Sequence, residues 1–399
     1  MSSDSPLEPH THTHSGSCCD GGGASETSSS EIAANNTGST CEGGVGPHRH
    51  ARLDEASLAT FRAAAAEVTN AAGPNAPPPA HRVVLLRDVV DSSSVSEAES
   101  VEWVGTQGLK ITLLGGLTSW TRLRALRLRS NLIASTAGLR GVLLGGLEEL
   151  ELYDNLLREL EDFGPGGAPA LRELDIAYNK ITTLDGLVGA APLLRVLLAA
   201  GNRLRGPFPG VALAASATSL IRLDLGANGL TCMTGLGVLT SLEELWLGKN
   251  RITQLDHAEL TPLIRLRILD VQSNRLTSIE GLPPSMPSLE EFYIAHNGIG
   301  DIPIAALQGC PRLTTIDVTG NPLPSLAFAA AATTLEDVWA GYTRVATFSD
   351  ALDGLRALPA LRTLYLEHSI VAKDWEYRLR IARDLPRLTQ LDADAIRRA

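Results

Sequence analysis

Aromatic residues make up only 4% of this 399-residue chain, so any core has to be aliphatic, built chiefly from leucine. Basic charge is also scarce: 34 Lys and Arg stand against 45 Asp and Glu, a formal charge of −11. Nucleic-acid binders usually present a basic face, so this balance argues against that class and towards a basic protein partner. Five cysteines (Cys18, Cys19, Cys41, Cys232, Cys310) are odd in number and share no recurring spacing. That is no disulfide framework, and it points to a reducing compartment. The greasiest stretch, "LAFAAAATT", is far shorter than the roughly 18 apolar residues that cross a bilayer. The N-terminus lacks the basic-then-apolar order of a secretory signal. These absences predict a soluble protein of the nucleus and cytoplasm, with no membrane segment.

What is present divides the chain into three parts. Residues 1 to about 50 are Gly-, Ser-, Thr- and His-rich, and bury too little to offset the cost of ordering. "LDEASLATFRAAAAEVTNAA" (53–72) has helix-forming composition, and "GPNAPPPA" (73–80) reads as a stiff linker. Residues 1–78 are therefore expected to be a disordered tail with one short helix.

Beyond the tail, the chain repeats itself. "LRALRLRSNLI", "LEELELYDNLL", "LRELDIAYNKI", "LEELWLGKNRI" and "LEEFYIAHNGI" all fit L-x-x-L-x-L-x-x-N-x-L, the leucine-rich-repeat consensus. Its third apolar position recurs eleven times, from Leu128 to Leu366, which chance would produce on the order of once in ten thousand chains of this composition. A weaker opening copy lies around "VEWVGTQGLKI" (101–111). Successive Asn residues, from Asn131 to Asn321, lie 24, 24, 23, 26, 22, 24, 23 and 24 residues apart. That spacing predicts an α/β solenoid over 79–372, with a concave parallel sheet and short 3₁₀ turns on the convex side. The longest gap, Asn202 to Asn228, predicts a convex bulge. The nine Asn side chains should turn inward and satisfy backbone groups that the turns leave unpaired. Residues 373–399 read as a cap, with Asp374 capping a helix to about Arg383 and Pro386 stopping it.

The wet side of each strand carries the functional signal. One outward column reads Arg127, Glu151, Asp175, Leu198, Asp224, Trp246, Asp270, Tyr293, Asp317, Trp339 and Tyr365. The column two residues earlier runs from Ala125 and Glu149 to Asp337 and Thr363. Together they hold ten carboxylates, five in each column, against two arginines. Asp is depleted in strands, and large rings gain nothing from standing in water. Acids interleaved with aromatic anchors fit a surface for a basic-rimmed protein. The competing explanation is that neighbouring rings only stack on one another and the acids only confer solubility.

Other candidates are weaker. His10, His12 and His14, followed by Cys18 and Cys19, suggest a metal, but their spacing matches no structural zinc site and a bland polar tail explains them. His296 and His368 have no nucleophile at a useful offset, and no phosphate loop or catalytic triad is present. The chain therefore reads as a non-enzyme without cofactor or metal.

"LWLGKNRIT", "VQSNRLTSIEGL", "YIAHNGI" and "LYLEHSIVAKDWEYR", in that order and followed by the terminal cap, resemble the protein phosphatase 1 regulatory subunit 7 family. The resemblance covers about residues 100 to 396. It implies a regulator whose concave face binds a protein phosphatase 1 catalytic subunit, with an inhibitory third subunit joining. The matching positions are Asp175, Asp224, Trp246, Asp317, Asp337, Trp339 and Tyr365. Leu198 departs, standing where the family has an aromatic. Thr343 and Ser369 replace the repeat Asn in the last two copies. "RVATF" (344–348) is one residue too long for a basic–Val–x–Phe docking motif, so binding should rest on the solenoid face. The acids are expected to lie exposed there, making affinity salt-dependent. An adaptor for a cytoskeletal or axonemal partner would share the fold, but it leaves the acid–aromatic order unexplained.

Overall fold

Three-residue strands are all that the L-x-L core of each repeat supports, because the chain bends sharply two residues later. The residue before each repeat Asn takes a left-handed conformation: φ is 54° at Ser130, 56° at Lys249 and 54° at His296, with Gly201 and Gly320 at the same place in their repeats. For a residue with a Cβ this costs roughly 1 kcal/mol. The Asn that follows supplies the compensation.

The structure, a computed structural model, describes residues 98–396 apart from 106–109, 115, 116, 118, 119, 162 and 209. The expected tail, its helix at 53–72 and the His10–Cys19 cluster lie outside the described residues. One 14-stranded sheet runs from Ser100–Glu102 to Asp394–Ala395. Its strands are parallel and in register, for example Arg222 beside Glu244 and Ile268, until the last strand turns back antiparallel on Gln390–Leu391. Ser100–Glu102 pairs with Ala125–Arg127, so the weak opening copy is a genuine strand of this sheet. From Ser100–Glu102 to Gln390–Leu391 the strands of this sheet bury, on one face, apolar side chains such as Leu126, Leu174, Leu245, Phe292 and Leu364 in a continuous core. A single repeat could not cover that face, but its neighbours do.

The buried Asn side chains fix the stacking. Asn179 accepts the Leu157 amide of the preceding repeat at 3.0 Å, and donates to the carbonyls of Leu152 (2.9 Å) and Ile176 (3.0 Å). All nine repeat Asn residues make this same link, from Asn131 on the Ile111 amide to Asn321 on Ile299. The last two copies substitute hydroxyls: Thr343 donates to Ala340 at 2.9 Å, and Ser369 accepts the Thr343 amide at 3.2 Å. Gly281 marks another tight point, since a Cβ there would run into the carbonyl of Leu255 in the repeat before.

The convex side is made of short 3₁₀ segments, among them Asp185–Leu187, Leu236–Val238 and Ile304–Leu307. Three short α-helices join them: Arg140–Leu144, His257–Leu260 capped by Asp256, and Phe348–Leu352 with a Thr347/Asp350 capping box. The long gap holds a seven-residue 3₁₀ helix, Gly210–Ser216, and a two-stranded parallel pair, Arg205–Gly206 with Gly229–Leu230.

The C-terminal end closes the core. A helix, Tyr377–Asp384, buries Tyr377 and Ile381. Asp392 then accepts the amides of Leu366 and Glu367 at 2.8 and 2.9 Å, as another repeat would. Asp374 caps less than its sequence position suggests. Its carboxylate accepts the Glu376 amide at 2.8 Å, in the turn that leads into the helix, and the helix itself has no side-chain cap.

Asn179→Ala strands a buried amide and two carbonyls of adjacent repeats, so it should cost about 2–3 kcal/mol in urea unfolding, while Thr343→Ala should cost about 1. Equal losses from the two would remove the ladder's special weight.

Candidate protein-interaction face

The register puts every sequence-nominated residue on one face. Asp175, Leu198, Asp224, Trp246, Asp317, Trp339 and Tyr365 align directly across neighbouring strands, and Asp337 sits one outward position earlier beside Thr315 and Thr363. All except Asp317 are half-buried.

The aromatics form a row. Trp246 and Tyr293 stand two strands apart, with Asp270 between them, yet their ring centroids are 6.2 Å apart and nearly parallel. Tyr293 and Trp339 meet at 6.1 Å across Asp317, and Trp339 meets Tyr365 edge-on at 6.2 Å. The contacting rings thus close over Asp270 and Asp317, the short carboxylates between them. Tryptophan on the wet face is therefore not alone; it is shielded by the ring on the next strand but one. Tyr293 belongs to this row although the family match did not nominate it. The alternation of ring and carboxylate along the column was its signal.

Three of the four rings have their polar atom engaged. Trp246 donates to Glu244 at 3.4 Å, Tyr293 to Glu291 at 2.6 Å, and the Tyr365 hydroxyl accepts from Gln390 at 2.6 Å. The Trp339 indole N–H is occluded and has no hydrogen-bond partner. Leaving such a donor unpaired costs roughly 1–3 kcal/mol, and because the atom is covered an acceptor reaches it only if neighbouring side chains shift.

The acids differ from the expectation of an exposed charged layer. Asp270 is 4% exposed and Asp317 9%. Asp175, Asp224, Asp270 and Asp317 each accept the amide two residues on, at 2.9, 2.9, 2.8 and 2.9 Å, which pins the strand-to-turn bend. Burial raises the pKa of all four above the ordinary aspartate value, against the opposing pull of those amide bonds. Their conformational task explains why Asp recurs where strand preference disfavours it. Other acids are matched locally: Glu149 pairs with Arg127, Glu151 with Arg129 and Glu244 with Arg222. Glu173 and Asp337 have no cation partner among the described residues.

Among the described residues, no group of three or more His, Cys, Asp or Glu is placed to hold a metal ion, and no helix is long and apolar enough to cross a membrane. Burial raises the Cys310 thiol to about 11, far from a reactive thiolate.

The folded-state pKa of Asp270 lies above its unfolded value, so the native chain holds more protons in that window and stability falls as pH rises through it. Asp270→Asn keeps an acceptor for the Gln272 amide and removes the disfavoured charge. It should leave stability near neutral pH unchanged or higher and flatten that pH dependence, whereas Asp270→Ala should cost about 1 kcal/mol. Thermal unfolding at two pH values checks both, and an Asn variant as damaged as the Ala variant would contradict the assignment.

A leucine rich repeat family model matches residues 145–204 and 264–323, and a model of two such repeats matches 240–284. A protein phosphatase 1 regulatory inhibitor subunit PPP1R7 homolog of Arabidopsis thaliana is 38% identical over 133 residues, 33% of this chain and 39% of that protein. The transforming growth factor beta activator LRRC33 of Danio rerio is 37% identical over 139 residues, 34% of this chain and 20% of that protein. The chain thus spans well under two thirds of the length of these curated relatives. An internalin of Listeria monocytogenes superposes with a TM-score of 0.60 at 19% identity, over 76% of this chain and 89% of the internalin, which is likeness of fold alone. The repeat pattern, the in-register sheet and these matches agree: the described residues form a leucine-rich-repeat solenoid.

Proposed function

We propose that this protein is a non-enzymatic regulatory subunit of the nucleus and cytoplasm that holds a protein phosphatase 1 catalytic subunit on its concave face. The observation that carries the proposal is the row Trp246–Tyr293–Trp339–Tyr365. Four of the chain's few rings stand side by side on one open sheet, flanked by the uncompensated carboxylate of Asp337. Aromatic anchors in a partly desolvated row, beside free negative charge, are what a basic-rimmed protein partner would use. The partial match to the Arabidopsis relative, whose name is that of a phosphatase 1 regulatory subunit, supports the choice of partner.

Within this reading the residues divide their tasks. Trp339 is the main anchor, because its half-buried ring meets both Tyr293 and Tyr365 in the row. Trp246 and Tyr365 extend the contact, and Leu198 contributes apolar area without a ring. Asp337 and Glu173 supply steering charge. Asp175, Asp224 and Asp317 hold the shape of the face.

The test is the affinity of the full chain for a phosphatase 1 catalytic subunit. Trp339→Ala should cost roughly 2 kcal/mol or more, about thirty-fold in Kd. Asp337→Asn should flatten the salt dependence of binding, and Asp317→Asn should leave it unchanged. Unaltered affinity in Trp339→Ala would discard this face. Failure of the parent protein to bind, with capture of a cytoskeletal or axonemal subunit instead, would favour the adaptor.

A further inference from the structure

Each repeat Asn is followed by a segment that alternates out, in, out. Arg203, Leu204 and Arg205 show it, as do Arg251, Ile252 and Thr253, and Arg275, Leu276 and Thr277, with the middle residue buried each time. These segments stack through a second ladder of backbone hydrogen bonds. Lys180 donates to Leu157, Arg203 to Ile181, Arg251 to Leu230 and Arg275 to Ile252, each at 2.8 Å. Two outward columns are thereby aligned along the flank that follows the turns.

Acids outnumber bases 45 to 34 in the chain. Yet these two columns hold Arg158, Lys180, Arg203, Arg205, Arg251 and Arg275, with Arg344 farther along, and no carboxylate. None of these cations forms an ion pair among the described residues. The flank that precedes the strands is built otherwise: Arg124, Glu148 and Arg172 alternate in sign and pair, as do Arg267 with Glu290 and Arg362 with Glu336. Like charges in register repel, so a fold selected for stability alone would intersperse acids on both flanks. Only one flank shows that pattern.

We propose that the basic flank is a second interaction surface, which takes an extended acidic segment of a partner protein laid across the repeats. Charge complementarity and span identify the occupant. From Arg158 to Arg275 the flank crosses six successive repeats. At about 4.8 Å per stacked segment that is roughly 24 Å, the reach of about seven extended residues. Arginine forks take carboxylates in pairs. The exposed Thr182, Thr231, Thr253 and Thr277 hydroxyls lie in the same columns as further donors. A long nucleic acid would carry its phosphates past a chain of net charge −11, whereas a short peptide confines its charge to the flank. The proposal does not depend on which protein occupies the concave face.

The test uses the full chain and a fluorescein-labelled alternating Glu–Ala peptide of about ten residues, long enough for the flank at about 3.4 Å per residue. Anisotropy titrations at low salt compare the parent with R203S/R251S/R275S, R203K/R251K/R275K and W339A. The Ser variant should bind at least about tenfold more weakly and the Lys variant, which keeps the charge but not the fork, by a smaller factor, while W339A stays near the parent value. Since the three arginines are exposed, the Ser and Lys variants should melt like the parent. Equal binding by the parent and the Ser variant, or no binding by the parent, would overturn the proposal. So would tighter binding of a single-stranded oligothymidine of matching length than of the peptide, which would mark a general polyanion surface.

Discussion

One buried amide per repeat holds this molecule in register. The Asn side chain can reach the preceding repeat only because the residue before it bends into a left-handed conformation, and that bend is tolerated because the amide satisfies the backbone groups around it. Each supports the other, and in the last two copies the hydroxyls of Thr343 and Ser369 follow the same bend at Tyr342 and His368. Their coupling sets strand length, stacking distance and alignment together. Every surface column, acidic or basic, is a consequence of that alignment.

On the concave side, alignment turns isolated residues into a collective surface. A lone tryptophan on a strand's wet face would have little reason to be there. Placed two strands from a tyrosine, with a short aspartate between, it can lean across and shield both the ring and the carboxylate. The aspartates beneath are turn-forming residues first and charges second. Uncompensated charge is left to Asp337 and Glu173, outside the aromatic cover. The same alignment gathers unpaired cations on the flank after the turns, so the solenoid presents surfaces of opposite sign on either side of one bend.

The repeat architecture was legible because it rests on periodicity. Leucine spacing gave the core, the Asn interval gave the turns, and the outward columns followed by counting from them. The cap was legible as a region, but Asp374 illustrates the limit: whether it meets the first helical amide or one in the preceding turn depends on geometry that no local pattern encodes. The same holds for the site. Sequence placed Asp317 and Trp339 on one face, but not the lean of rings across strands, which buries one and leaves the other with an unsatisfied N–H. The Arg127–Glu149 and Arg222–Glu244 pairs likewise required the register before their charges could be discounted.

The most direct test of the central claim is to locate the contact itself. A photo-crosslinking benzoyl-phenylalanine would replace Tyr293 or Tyr365 in the aromatic row, or exposed Leu379 on the cap helix as a comparison. Each protein would be illuminated with a phosphatase 1 catalytic subunit and the crosslinks mapped. The account predicts crosslinks from positions 293 and 365 to a basic surface of the phosphatase, and none from 379. A complex that forms but crosslinks only through position 379 would contradict it.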